Sequence, residues 1–153
     1  MTLIRPAVGN DEAFLREMLY LALFVPPEEP PLPREILDDP KVAHYVEGFG
    51  TNDGDIGFIA EDRDPIGAAW VRLLIGDNRG FGYIDDDTPE LSIAVLPEHR
   101  GGGLGTALLE RVFAMVPRCC LSVDDRNPAL RLYARLGFAT VSTHRHSVFM
   151  LRE

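Results

Sequence analysis

The chain has 153 residues, the size of one compact domain. Hydrophobic residues make up 46% of it, which excludes wholesale disorder. Fifteen basic against twenty-four acidic residues leave a net charge of −9, which repels phosphate backbones and argues against nucleic acid as a partner. The two cysteines, Cys119 and Cys120, are adjacent and face opposite sides of one strand, so they suit neither a disulfide framework nor a metal knuckle. The longest apolar stretches, Met18 to Pro27 and Leu104 to Val116, are too short or too interrupted to cross a bilayer. With no signal-peptide pattern at the start, the expectation is a soluble cytoplasmic protein with no membrane partner.

In chain order, Thr2 to Pro6 reads as a first strand. Asn10 reads as an N-cap, with Asp11 and Glu12 in the first turn of an amphipathic helix that carries Phe14, Leu15, Met18, Leu19 and Ala22 and ends near Phe24. Pro26, Pro27, Pro30, Pro31 and Pro33 form a stiff connector, and Arg34 to Glu47 has room for one or two short helices. Ile56 to Ala60 and Ile66 to Ile75 read as a hairpin around Asp62-Arg63-Asp64-Pro65. Phe81 to Ile84 reads as the start of another strand, and Leu91 to Leu96 as a buried central one. A helix follows the glycines at 101–105 and stops at Pro117; Cys119 to Val123 is a further buried strand. Asn127-Pro128 caps a helix that Gly137 ends, and Phe138 to Ser142 with Ser147 to Leu151 closes the chain as an antiparallel pair. The order predicts a mixed, mostly antiparallel α/β sheet flanked by helices, one domain over residues 1–153.

The glycines carry the chemistry. Glycine admits positive φ and lacks a Cβ, so a ligand can approach the backbone, and the free amides at the start of the following helix suit phosphate or pyrophosphate. A tight turn alone would need one or two glycines; four stand within five residues. A P-loop is excluded because Thr106, not lysine, follows Gly105. A dinucleotide fingerprint from Gly101 would need glycine or alanine at 106, although Asp124 or Asp125 stands where its ribose-binding acid belongs, which keeps a nicotinamide enzyme as a third reading.

Arg100-Gly-Gly-Gly103-Leu-Gly105 resembles the Arg/Gln-x-x-Gly-x-Gly/Ala signature of the GCN5-related N-acetyltransferases. The preceding Ile93-Ala94-Val95-x-Pro97 is similar to that family's fourth strand. Asn127-Pro-Ala-Leu-Arg-Leu-Tyr133-Ala-Arg-Leu-Gly137-Phe138 is similar to its later helix. The resemblance covers Glu90 to Phe138, about a third of the chain. It implies acetyl-coenzyme A as cosubstrate, held by the backbone of Ile93, Ala94 and Val95 and by Arg100, Gly101, Gly102, Gly103, Leu104, Gly105 and Thr106. Asn127 stands either as a further cofactor contact or simply as a helix cap, because many members have one more residue between it and the tyrosine.

The same resemblance implies acetyl transfer by direct attack of a primary amine, on a small molecule or a peptide. Tyr133 then donates a proton to the departing thiolate; its alternative is a core tyrosine beside Leu130 and Leu136. Glu90 opens the central strand and is the candidate base, with Ser92, Asp85, Asp86 and Asp87 as rivals and a solvated carboxylate as the alternative. The acids at 85–87 and 90 predict a rim that favours cationic acceptors.

His144 and His146 read as a surface pair on one strand face rather than a zinc site, so no metal is expected. His99 reads as a loop side chain, Trp70 as core or as a wall of the acceptor pocket, and the cysteines as buried and unreactive. A non-catalytic acyl-coenzyme A-binding or sensing module is the alternative function, and assembly as a homodimer is left open.

Overall fold

Apolar runs that alternate between two faces become the centre of one sheet, because each face needs its own cover. The computed structural model describes residues 1–153. Its strands are β1 (Leu3–Pro6), β2 (Ile56–Asp62), β3 (Asp64–Arg72), β4 (Glu90–Val95), β5 (Cys119–Asp124), β6 (Ala139–His144) and β7 (Ser147–Arg152). They lie in the order β1-β2-β3-β4-β5-β7-β6, all antiparallel except β4 beside β5. The helices are α1 (Glu12–Ala22), α2 (Pro40–Ala43), α3 (Leu104–Met115) and α4 (Ala129–Arg135).

Strand alternation sorts the interior into two cores. Ile59, Ala68, Trp70 and Ala94 pack against Leu15, Met18 and Leu19 of α1 and Val42 of α2. Phe58, Ala69, Val71 and Leu91 face the other way, against Leu108, Leu109 and Val112 of α3. Trp70 is fully buried, and its Nε1 donates to the Tyr45 carbonyl at 2.9 Å, so the ring is an anchor of the first core. Truncating a side chain of this size to alanine costs about 3–5 kcal/mol.

Several boundaries differ from the sequence reading. Gly9–Asp11 is a tight 3-10 turn, and Asn10 caps nothing. The Asp11 carboxylate instead accepts the Val8 N–H at 2.8 Å and both terminal nitrogens of Arg5, tying β1 to the turn. Phe81 to Ile84 is not a strand, because its amides go elsewhere: the Phe81 N–H donates to the Tyr45 hydroxyl and the Gly82 N–H to Glu90. His144 and His146 do not share a strand face; His144 ends β6, and the β6–β7 turn passes through Arg145 at φ 55°.

The feature that positions the site is an unfinished pairing. β4 and β5 meet only where Glu90 stands opposite Cys120, with the Cys120 N–H donating to the Pro89 carbonyl at 3.0 Å. Beyond that point the strands separate, while β4 stays fully paired with β3, and β5 with β7. No helix is long and apolar enough to cross a membrane.

Candidate active site

The gap between β4 and β5 opens an edge of backbone. The Leu96 N–H donates to the Ile66 carbonyl at 2.8 Å. The two-residue repeat therefore turns the amides of Ala94 and Ser92 toward β3, and those of Ile93 and Val95 toward the gap. The Val95 carbonyl accepts from Arg100 Nε at 2.9 Å, which ties the glycine loop to the end of β4. Gly101 and Gly103 have φ of +87° and +83°, values only glycine adopts without strain. A Cβ at Gly101, Gly102 or Gly103 would touch nothing within 4 Å, so the absent side chains leave open space.

Gly103 precedes α3, and its carbonyl accepts from Ala107 as the helix begins. The amides of Leu104, Gly105 and Thr106 are left without helical partners, at the positive end of the helix dipole. A cavity of about 740 Å³ runs along these groups, walled by Ile93 to Val95, Arg100, Gly101, Gly103 to Thr106, Asn127 and Tyr133. Gly102 is the one glycine of the cluster outside its wall, and His99 lies on it. An elongated donor with a pyrophosphate and amide-bearing arm fits such a surface: amides for the phosphates, a strand edge for the arm.

A second cavity, of about 350 Å³, lies between the two strands near the bridge, walled by Glu90 to Ile93 of β4 and Leu121 to Asp124 of β5. Glu90 is part of its wall and is only 6% exposed, so it is no solvated strand-end carboxylate. Its Oε2 accepts from the Tyr45 hydroxyl and from the Gly82 N–H at 3.0 Å. The Tyr45 oxygen in turn accepts the Phe81 N–H at 2.7 Å, so its own proton is directed to Glu90. Oε1 is buried with no partner. It packs against Gly80, where a Cβ would stand 2.1 Å from it and 2.7 Å from the Tyr45 oxygen, so any side chain there would displace this pair. Burial pushes the Glu90 carboxyl above the usual range, opposed by the two donors on Oε2.

Tyr133, Asn127 and Ile93 line both cavities, as do Ala22, Leu23 and Phe24 from the end of α1. Tyr133 is buried, its ring edge-on to Phe138 at 5.8 Å between centroids, and desolvation pushes its phenol up to about 12. The ring is thus core, as its neighbours Leu130 and Leu136 suggest, yet it also lines both cavities. Asn127 accepts the Ala129 N–H on Oδ1 at 2.9 Å, so it caps α4; its Nδ2 makes no hydrogen bond within the protein. Burial pushes both cysteine thiols up to about 12, which leaves no thiolate for covalent catalysis near neutral pH.

Other expectations are corrected. Asp85, Asp86 and Asp87 line neither cavity. Asp85 accepts from Thr88 and pairs with Arg118, Asp86 accepts from Tyr83, and the group is a turn tied to Arg118 rather than a rim of either cavity. Trp70 is absent from both walls, whereas Ser92 is on the second. Asp124, Asp125 and His146 bring ligand atoms within 4.8 Å of one another, but the two carboxylates already accept from Arg126 and His146 respectively.

Sequence reasoning missed Tyr45, Gly80 and Gly82, the groups that hold Glu90. Tyr45 lies 45 residues from its partner, beyond any local pattern. The Gly80-Phe81-Gly82 run was a usable signal, since glycines beside an apolar residue often mark close backbone approach.

Residues 53–140 match the sequence family described as the acetyltransferase (GNAT) domain. Mycothiol acetyltransferase of Streptomyces griseus is 32% identical over 139 residues, which cover 86% of this chain and 41% of the relative. The namesake from Streptomyces coelicolor is 30% identical over 142 residues, covering 88% of this chain and 41% of its own. The chain thus spans about two-fifths of the length of the curated relatives it matches. Among solved structures, the PaiA N-acetyltransferase of Thermoplasma acidophilum in complex with coenzyme A superposes with a TM-score of 0.70 at 16% identity, covering 100% of this chain and 99% of that one. A GNAT-family acetyltransferase from Streptococcus pneumoniae gives 0.65 at 19% identity, with 100% and 99% covered. The splayed β4–β5 pair, the glycine loop tied to it and the matched sequence agree, and the chain belongs to the GNAT acetyltransferase family.

Proposed function

We propose that residues 1–153 act as one acetyltransferase domain that moves an acetyl group from acetyl-coenzyme A to a primary amine by direct attack. The observation that carries this reading is the pair of adjoining cavities at the β4–β5 gap, with Tyr133 and Asn127 on both walls and a buried carboxylate in the second. The bound donor supplies an activated acetyl thioester. Arg100, the loop glycines and the amides of Leu104 to Thr106 would hold its phosphates, with the edge of β4 along its arm. Asn127 Nδ2 is free to assist.

A primary ammonium sheds two protons to become an amide nitrogen. One leaves to Glu90, either directly or through water, and frees the lone pair for attack. As the nitrogen–carbon bond forms and the carbon–sulfur bond breaks, Tyr133 donates to the sulfur, and the second ammonium proton replaces the one it gives up. A phenol near 12 stays protonated at neutral pH and is always a donor. Since a thiol's reference value is about 8.5, full transfer from Tyr133 runs uphill unless it is coupled to that replacement.

The test is free-thiol release from acetyl-coenzyme A across a broad panel of amines, with the acetylated product identified by mass spectrometry. Tight donor binding without turnover on any amine overturns the reading and returns the chain to a binding module.

A further inference from the structure

Which amines fit is written in the charges of the second cavity. None of the residues lining it is a lysine, arginine or histidine. Its two acids are not equivalent. Asp124 is gripped by both Nε and a terminal nitrogen of Arg126, at 2.9 and 2.8 Å, so its charge is spent within the protein. Glu90 is held by uncharged donors only, and Oε1 has no partner at all. The cavity therefore offers one uncompensated carboxylate, set among Phe24, Phe81, Leu121 and Phe149. Arg126, which is not among the lining residues, is already paired with Asp124.

We infer that, if the chain is the acetyltransferase proposed above, its acceptors are small primary amines with one positive charge, an apolar or aromatic body and no anionic group. At about 350 Å³ the cavity sits at the low end of small-ligand pockets, roughly 300–1,000 Å³. A free amino acid would bring its carboxylate into a wall with no cation to meet it, and an unpaired buried charge is strongly disfavoured. A polyamine would bring a second ammonium with no free acid left to receive it. An amine whose remainder is apolar meets the aromatic wall and places its single charge near Glu90.

The experiment compares 2-phenylethylamine, phenylalanine and spermidine as acceptors at equal pH and ionic strength. The first two differ only by a carboxylate. The expected result is kcat/KM for 2-phenylethylamine about 100-fold or more above that for phenylalanine, with spermidine also well below it. A Ser147→Arg variant puts a cation on the cavity wall beside an Asp124 that is already paired, and should narrow the gap between phenylalanine and 2-phenylethylamine by about tenfold or more. Turnover that favours phenylalanine or spermidine over 2-phenylethylamine overturns this inference and leaves acetyl transfer standing. No turnover on these or any other amine overturns the proposed function, and this inference with it.

Discussion

The two cavities beside the β4–β5 gap are made of different material. The larger has one wall of backbone, made of an unpaired strand edge, a glycine loop and the first amides of α3, and is completed by side chains from the end of α1 and from α4. The smaller is built from side chains that come from α1, the turn after α2, the 80–82 segment, β4, β5, α4 and β7. Backbone groups are the same whatever the residue, so the first wall suits one invariant partner. Side chains differ at every position, so the second wall is where a choice among acceptors resides.

The largest expected effect lies on the shared wall. Tyr133→Phe should lower kcat by ~10²–10⁴-fold, the usual cost of a lost general acid, with little change in the donor's KM. Steady-state kinetics with both substrates varied checks this, and full activity would make Tyr133 a core residue only.

Next comes Glu90→Gln, which should depress kcat/KM by about 100-fold at neutral pH and recover toward wild type as pH approaches the amine's own pKa. Stability should move the other way. Burial raises the folded-state value of Glu90, so the folded chain holds that proton to a higher pH than the unfolded chain does. Its contribution to stability is present at low pH and lost as pH rises through the raised value. Glutamine removes that loss. The variant should melt at or above the wild-type temperature at neutral pH, and the difference should close on acidification. Parallel pH–rate profiles, or a variant that melts well below wild type at neutral pH, would break the assignment.

The backbone wall is probed best at Gly105. Its φ is not positive, and an added Cβ would meet Ile93 Cδ1 at 3.8 Å and Leu132 Cδ2 at 3.9 Å, ordinary contacts. Gly103 is a poorer choice, since its φ of +83° would strain any substitute. Gly105→Val should fold normally and weaken acetyl-coenzyme A binding by ~10–100-fold, comparable to the loss of one hydrogen bond to a charged group. Calorimetric titration decides it; unchanged affinity would remove the loop from the donor site. The smallest effect belongs to the acidic turn. Asp86→Asn combined with Asp87→Asn should leave acceptor KM within about twofold at low salt, because neither residue faces a cavity.

The same contrast explains what could be read from the sequence. The donor wall depends on glycines, a strand before them and a helix after them, all within Ile93 to Thr106, so a local pattern exposes it. Glu90 was legible as the first residue of a central strand. Its burial was not, because that depends on Tyr45 and Gly82 arriving from other parts of the chain. The acids at 85–87 looked like a rim because charge in sequence says nothing of direction. In the fold, Arg118 and Thr88 turn Asp85 away from the cleft. Asn10 misled for a related reason: Asp11, one residue on, had Arg5 and the Val8 amide to satisfy and set the turn itself.

The single Glu90–Cys120 bridge also divides the sheet's endurance. Strands β1 to β4 form one continuous antiparallel ladder, and β5, β7 and β6 another, with almost no hydrogen bonding between them. Such blocks open as separate cooperative units, each with its own free energy. A ligand in the larger cavity touches the first ladder through Ile93 to Val95 and reaches the second through the segment that follows β5, at Asn127, Ala129 and Tyr133. Occupancy therefore does more than fill space: it welds two ladders into one, and slow amide exchange should spread from the β1–β4 ladder into β5 and β7 as donor is added.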